Sequence, residues 1–286
     1  MYKPTPLIKE ERNGSTIYYK MEIDQPSESF KIRGMSKLIQ TKSANGTDKF
    51  VSSSGGNAGY SAAMVCDGLK RPITVVLPRN TKRTALEKIK TTKADIIIHG
   101  NDWQEAHSHA TILAEEQGAH LIHPFDDPLL WEGHSTLIEE CADIDAPDAI
   151  VVSVGGGGLY IGVTEGMKKL GWDSAIYACE TTGAASMADC IISGKHVELN
   201  SITTIASSLG ARKIADEAFR RLSEFMTIPH VVDDMSTIKA CESFKRSYNR
   251  NPEPACGAAL SGIDRALKDG HKSVLVIVCG GIVRIA

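Results

Sequence analysis

Three glycine-bearing stretches hold most of the groups in this sequence that could do chemistry. The first, Ser53-Ser54-Gly55-Gly56-Asn57-Ala58-Gly59, sets hydroxyls, glycines and an amide at what the spacing predicts to be a helix start. Helix starts expose N–H groups that the helix itself cannot satisfy, which suits a carboxylate or another anion. Read alone, an ordinary N-cap turn is the simpler account of this stretch. The second is Gly155-Gly156-Gly157-Gly158-Leu159. Four successive glycines let backbone N–H groups close around a phosphate, and a purely structural turn rarely needs four. The third, Cys279-Gly280-Gly281, follows a strongly apolar run; alone it reads as a buried, inert cysteine.

The elements that position these stretches are short β-branched runs alternating with amphipathic segments. Strands are expected at 16–20, 49–53, 73–77, 95–99, 120–123, 149–154, 175–179, 230–232 and 273–278, and helices at 103–117, 158–170, 214–225 and 255–268. Strands separated by helices imply right-handed crossovers and mainly parallel sheets, whose ligands bind at the C-terminal ends of strands. All three glycine stretches follow predicted strands. The fold class is therefore α/β.

Composition bounds the rest. The chain has 286 residues, room for about two compact domains, with 42 % hydrophobic and 23 % charged residues, as in ordinary globular proteins. A net charge of −3 gives no electrostatic case for a nucleic-acid or membrane partner. The N-terminal Met1-Tyr2-Lys3-Pro4-Thr5-Pro6 has no apolar stretch resembling a signal peptide, and the apolar run 274–278 is far short of a membrane span. Seven cysteines without a Cys-x-x-Cys pair argue against a disulfide framework or a zinc site and for a reducing, cytoplasmic location. Glu180 lies near the position of a ribose-binding acid, but a dinucleotide fingerprint starting at Gly155 meets Tyr160 at its third glycine, so that reading is set aside.

Upstream sits Gln25-Pro26-Ser27-Glu28-Ser29-Phe30-Lys31-Ile32-Arg33-Gly34. Lys31 alone says nothing. In order with the three glycine stretches, with Pro124-Phe125-Asp126-Asp127-Pro128, Trp131-Glu132-Gly133-His134 and Glu253-Pro254-Ala255-Cys256-Gly257, it resembles the pyridoxal-phosphate (PLP) enzymes of the tryptophan-synthase β fold, PLP fold type II. More narrowly, the chain is similar to the serine/threonine dehydratases, from Thr5-Pro6-Leu7 to Cys279-Gly280-Gly281.

The resemblance implies two domains, each with a mainly parallel sheet flanked by helices: residues 1–24 and 125–286 as the larger, PLP-binding one, and 25–124 as a small insertion. It implies that Lys31 holds PLP as a Schiff base and then takes the substrate's Cα proton. Gly155, Gly156, Gly157, Gly158 and Leu159 would bind the phosphate, Asn57 the ring oxygen, and Ser54, Gly55, Gly56, Asn57 and Ala58 the substrate carboxylate. Phe125 would cover a ring face, and Cys279 would meet the ring nitrogen as a weak, neutral partner, favouring prompt loss of the β-hydroxyl. Glu180, with Ala184, Ser186, Leu209 and Ala211, matches a monovalent-cation site, potassium being the candidate; an acid capping the next segment is the plain alternative. The implied activity is deamination of L-serine to pyruvate and ammonia, and of L-threonine to 2-oxobutanoate, in amino-acid catabolism. Relatives are often homodimers, which nothing in the sequence fixes.

Four features depart from the family pattern. Gly55 stands where serine racemases carry a serine just before the Gly-Asn pair, so racemisation is expected to be weak. Ser208 stands where relatives tend to have alanine, and the segment between Leu7 and Thr16 reads as shortened. The sequence runs only seven residues past Cys279 where relatives continue into a closing helix, which raises the alternative of a PLP-binding homologue with little activity.

Overall fold

The computed structural model describes residues 1–284. In chain order they form β1 (Leu7–Arg12), β2 (Ser15–Lys20), α1 (Lys31–Ala44), β3 (Phe50–Ser52), α2 (Asn57–Gly68), β4 (Ile73–Leu77) and α3 (Arg83–Ile89). Then come β5 (Asp95–Ile98), α4 (Trp103–Gln117), β6 (His120–Ile122), α5 (Pro128–Glu139), β7 (Ala149–Ser153), α6 (Gly158–Leu170), β8 (Ala175–Thr181) and α7 (Ser186–Ser193). The last are α8 (Asp216–Arg221), β9 (Thr227–Val232), α9 (Asp234–Tyr248), α10 (Pro254–Lys268) and β10 (Ser273–Ile277).

These strands form two sheets, ordered β1-β2-β10-β7-β8-β9 and β5-β4-β3-β6. Every pairing is parallel except β1 with β2. Strands β7 and β8 are buried along their whole length, as continuous apolar runs covered on both faces require. Around them, Tyr160, Met167, Tyr177 and Leu275 belong to the larger core; Met35, Phe50, Val75 and Ile89 belong to the core of the smaller sheet.

Two differences from the sequence reading have physical causes. The stretch from Leu7 to Arg12, where no strand was expected, is a strand. Its charged alternation, Leu-Ile-Lys-Glu-Glu-Arg, is that of an edge strand with one wet face. It turns into β2 through Asn13 and Gly14, both at positive φ (52° and 76°), a two-residue hairpin. Strand β9 begins three residues before the expected 230, at Thr227, and includes Pro229. Proline is tolerated there because β9 is the other edge and pairs only with β8.

A buried charge network ties α1 to the larger sheet. Arg33 is 0 % exposed; its Nε and Nη2 donate to Glu22 at 2.7 and 2.8 Å, and its Nη1 and Nη2 donate to Glu140 at 2.6 and 2.7 Å. Lys20 Nζ completes it, donating to Glu140 at 2.6 Å and to the Thr5 carbonyl at 2.9 Å. Two cations meet two anions, so the group is neutral as a whole. The start of α1 is thereby fixed.

Candidate active site

In the larger sheet, β7 has β10 on one side and β8, its successor across α6, on the other. That reversal of order opens a crevice at the C-terminal ends of β7 and β10, where the glycine stretches 155–158 and 279–281 lie. The smaller sheet brings the C-terminal ends of β3 and β6, carrying 53–59 and 123–125, to the same place. Four loops from two sheets converge there.

Lys31 is the first residue of α1. Its Nζ donates to the Pro124 carbonyl at 2.6 Å and lies 5.2 Å from the centre of the Phe30 ring. Burial lowers its pKa to about 8, with Cys279 and Glu253 opposing the shift. The backbone around it is pinned to the last strand: Phe30 N–H donates to the Cys279 carbonyl at 3.2 Å, and Gly281 N–H to the Glu28 carbonyl at 2.7 Å.

The residue after Pro124 reaches the glycine cradle. A Cβ built on Gly156 would lie 2.3 Å from the Phe125 ring, and one on Gly158 would lie 2.6 Å from the Phe125 carbonyl. Gly157 takes φ +89° at the start of α6, and no side chain caps that helix. The first N–H groups of α6 are thus left for a ligand. The close seat of Phe125 shows why larger residues are excluded from the cradle.

Asn57 begins α2 and reaches across to the larger sheet. Its Nδ2 lies 2.9 Å from Glu253 Oε1 and 3.2 Å from Ser208 Oγ, and its Oδ1 accepts from Ile282 N–H at 2.8 Å. Beside it, Ser54 Oγ accepts from Gly56 N–H at 3.4 Å, and Ala58 is buried. Gly55 is held to glycine by Thr81, from the turn after β4: a Cβ there would meet the Thr81 hydroxyl oxygen at 2.7 Å. Cys279 Sγ lies 3.3 Å from Ser153 Oγ; the adjoining Cys256 thiol and burial hold it well above the usual thiol range, hence neutral.

Two residues of this site were not singled out from sequence. Glu253 was visible only within its motif. It is 2 % exposed and accepts from both Asn57 and Val283 N–H, the latter at 2.9 Å. Thr81 lay in a turn with no chemical signal. Phe30, beside Lys31, packs edge-on against the buried His134 at 4.9 Å between centroids.

Glu180, at the end of β8, is fully buried and accepts from Met187 and Ala188 N–H at 2.9 and 2.7 Å. Burial raises its carboxyl pKa to about 8 despite those bonds. The buried Ser186 hydroxyl lies against that carboxyl, and the buried hydroxyl of Thr181, the next residue of the strand, has no hydrogen-bond partner. Leu209 ends a short 3-10 helix and Ala211 follows it. Among the described residues, no group of three or more His, Cys, Asp or Glu could hold a metal, and no helix is long and apolar enough to cross a membrane.

An uncapped glycine cradle for a phosphate, a desolvated amine and a neutral thiol form a donor set that fits PLP. Comparisons with known proteins point the same way. Residues 1–280 match the family described as pyridoxal-phosphate dependent enzyme. The human L-serine dehydratase/L-threonine deaminase is 38 % identical over 282 residues, covering 94 % of this chain and 86 % of that protein. Among solved structures, a fungal L-serine ammonia-lyase from Rhizomucor miehei superposes with a TM-score of 0.90 at 28 % identity, covering 98 % of this chain and 94 % of the other. Maize serine racemase superposes with a TM-score of 0.92 at 26 % identity, covering 99 % and 90 %.

Proposed function

Because the chain belongs to the pyridoxal-phosphate dependent enzyme family, we propose that it is a lyase that deaminates L-serine to pyruvate and ammonia, and L-threonine to 2-oxobutanoate and ammonia. The observation that carries this reading is the Lys31 amine, held at 2.6 Å on Pro124 while the next residue, Phe125, rests on the glycine cradle. When bound, PLP supplies an aldehyde carbon for that amine and a conjugated ring that draws electron density from the substrate's Cα.

The protein's own groups then divide the work. Backbone N–H groups of Gly155 to Leu159 would hold the phosphate, and Asn57 would serve the ring oxygen. Ser54 to Ala58 receive the substrate carboxylate at the start of α2. Lys31 is the base for the Cα proton; its lowered pKa of about 8 leaves roughly a tenth of it uncharged at neutral pH, far more than an ordinary lysine. Phe125, packed along the cradle, would cover a face of the ring. Cys279, a neutral thiol, would give the ring nitrogen only a weak partner, which suits prompt loss of the β-hydroxyl.

Racemisation is the competing reading. Gly55 offers no hydroxyl to the opposite face, and Thr81 leaves no room for a side chain there, so elimination is favoured. Potassium at Glu180, with Ser186 and the backbone oxygens of Ala184, Leu209 and Ala211, is supported by the Ser186 hydroxyl set against that buried carboxyl. The small insertion, 25–124, is supported by its separate sheet, whose strands all fall between residues 50 and 122. All seven cysteines are free and buried, which supports a reducing, cytoplasmic setting. The substrate is a small amino acid, and a homodimer is the assembly to test by sedimentation. The deciding experiment is a visible spectrum of purified protein followed by ketoacid assay on both substrates. A colourless protein that makes neither ketoacid would end the proposal.

A further inference from the structure

An asparagine amide has two N–H donors and one acceptor oxygen. In Asn57 all three are engaged. The oxygen accepts from Ile282 N–H, so a flipped amide would set its NH2 group against that donor. Of the two acceptors facing Nδ2, Glu253 is buried and closer, at 2.9 Å, whereas Ser208 is exposed and at 3.2 Å. Glu253 stands at the N-terminus of α10 yet its side chain caps nothing there. Both its oxygens accept from N–H donors, Asn57 and Val283, which with the neighbouring Ser208 hydroxyl favour its carboxylate against the burial that pushes its pKa up.

We propose that Glu253 is a positioning residue that aims Asn57, committing one amide N–H permanently and leaving the second, shared with Ser208, as the exchangeable one that serves the cofactor's ring oxygen. The inference rests on the PLP reading above. It assigns Ser208 a definite part: a placeholder that competes with the ring oxygen for the same N–H. It also makes Asn57 a tie between sheets, since Glu253 and Ser208 adjoin residues of the larger core while α2 and Ile282 belong to the smaller one's.

The test is an equilibrium titration with PLP of protein stripped of cofactor, reading affinity and the ratio of near-ultraviolet to visible bands. Glu253→Gln must turn its NH2 toward one of two N–H donors, so affinity is expected to fall about tenfold and the band ratio to change. Ser208→Ala removes the competitor, so affinity is expected to stay equal or rise, with the ratio unchanged. Glu253→Gln that is folded by circular dichroism and matches wild type in both readouts overturns the proposal. Ser208→Ala that binds markedly more weakly than wild type also overturns it, and decides the matter even if the Glu253 variant does not fold. Wild-type protein that gains no visible band overturns the PLP reading itself, and this inference with it.

Discussion

Lys31 and Pro124, ninety-three positions apart, are joined by a 2.6 Å hydrogen bond from the lysine Nζ to the proline carbonyl. A carbonyl that accepts but never donates steers the amine without neutralising it. Replacement of Lys31 by alanine should therefore remove both the visible band and ketoacid release, with kcat falling by at least about a thousandfold, in the range expected for loss of a positioned base. Wild-type turnover in the variant would exclude the assignment.

The same amine sets a pH dependence. Only uncharged lysine attacks an aldehyde, and burial lowers the Lys31 pKa to about 8. The rate of PLP uptake by stripped protein should rise with pH and level off above about 8. Stopped-flow absorbance between pH 6 and 10 measures it. A rise that continues unabated to pH 10 would show an ordinary, solvated amine.

Thr81 and Gly55 should be energetically coupled. Gly55→Ala presses its methyl on the Thr81 hydroxyl at 2.7 Å and should cost about 1–3 kcal/mol, the usual penalty of overpacking. Thr81→Ala in the same chain should recover most of that loss. Denaturation of the two single variants and the double variant gives the coupling directly; additive effects would mean that the contact is relieved elsewhere.

Glu180 links stability to pH and salt. Its carboxyl pKa is raised to about 8 in the folded protein, so the folded state holds the proton more tightly than the unfolded one. The stability tied to that proton is complete below the ordinary carboxyl pKa of 4.5 and is lost as pH rises through 8. A cation bound to the carboxylate should offset the loss. Potassium should therefore raise Tm more at pH 9 than at pH 6, relative to an equal concentration of a bulky organic cation. Equal shifts at the two pH values would count against the site.

Sequence patterning was most informative where burial is one-dimensional. Strands β4, β7 and β10 are continuous apolar runs, and α4 and α6 have the expected limits of 103–117 and 158–170. Strand β1 escaped because its exposed face is charged, although Asn13-Gly14 was a hairpin signal in plain view. Within the site, Asn57 and the cradle were legible because their residue types follow predicted strands, whereas Lys31 was legible only through the family resemblance of the motifs taken in order. Glu253 looked like an ordinary acid at a helix start, and its partner lies 196 positions away. Thr81 had only its turn to announce it. Local chemistry can be read along a chain, whereas the contacts that aim it are made by the fold.

The four charges around Arg33 carry a consequence for how this protein can drift. Loss of any one leaves an unmatched ion sealed from water, at a cost of about 3–5 kcal/mol, while exchange of the whole set for oily side chains can be neutral. Single steps away from the present arrangement are thus steep and the far side is level. Lys20, Glu22, Arg33 and Glu140 should be inherited together or abandoned together, as an heirloom that is not divided.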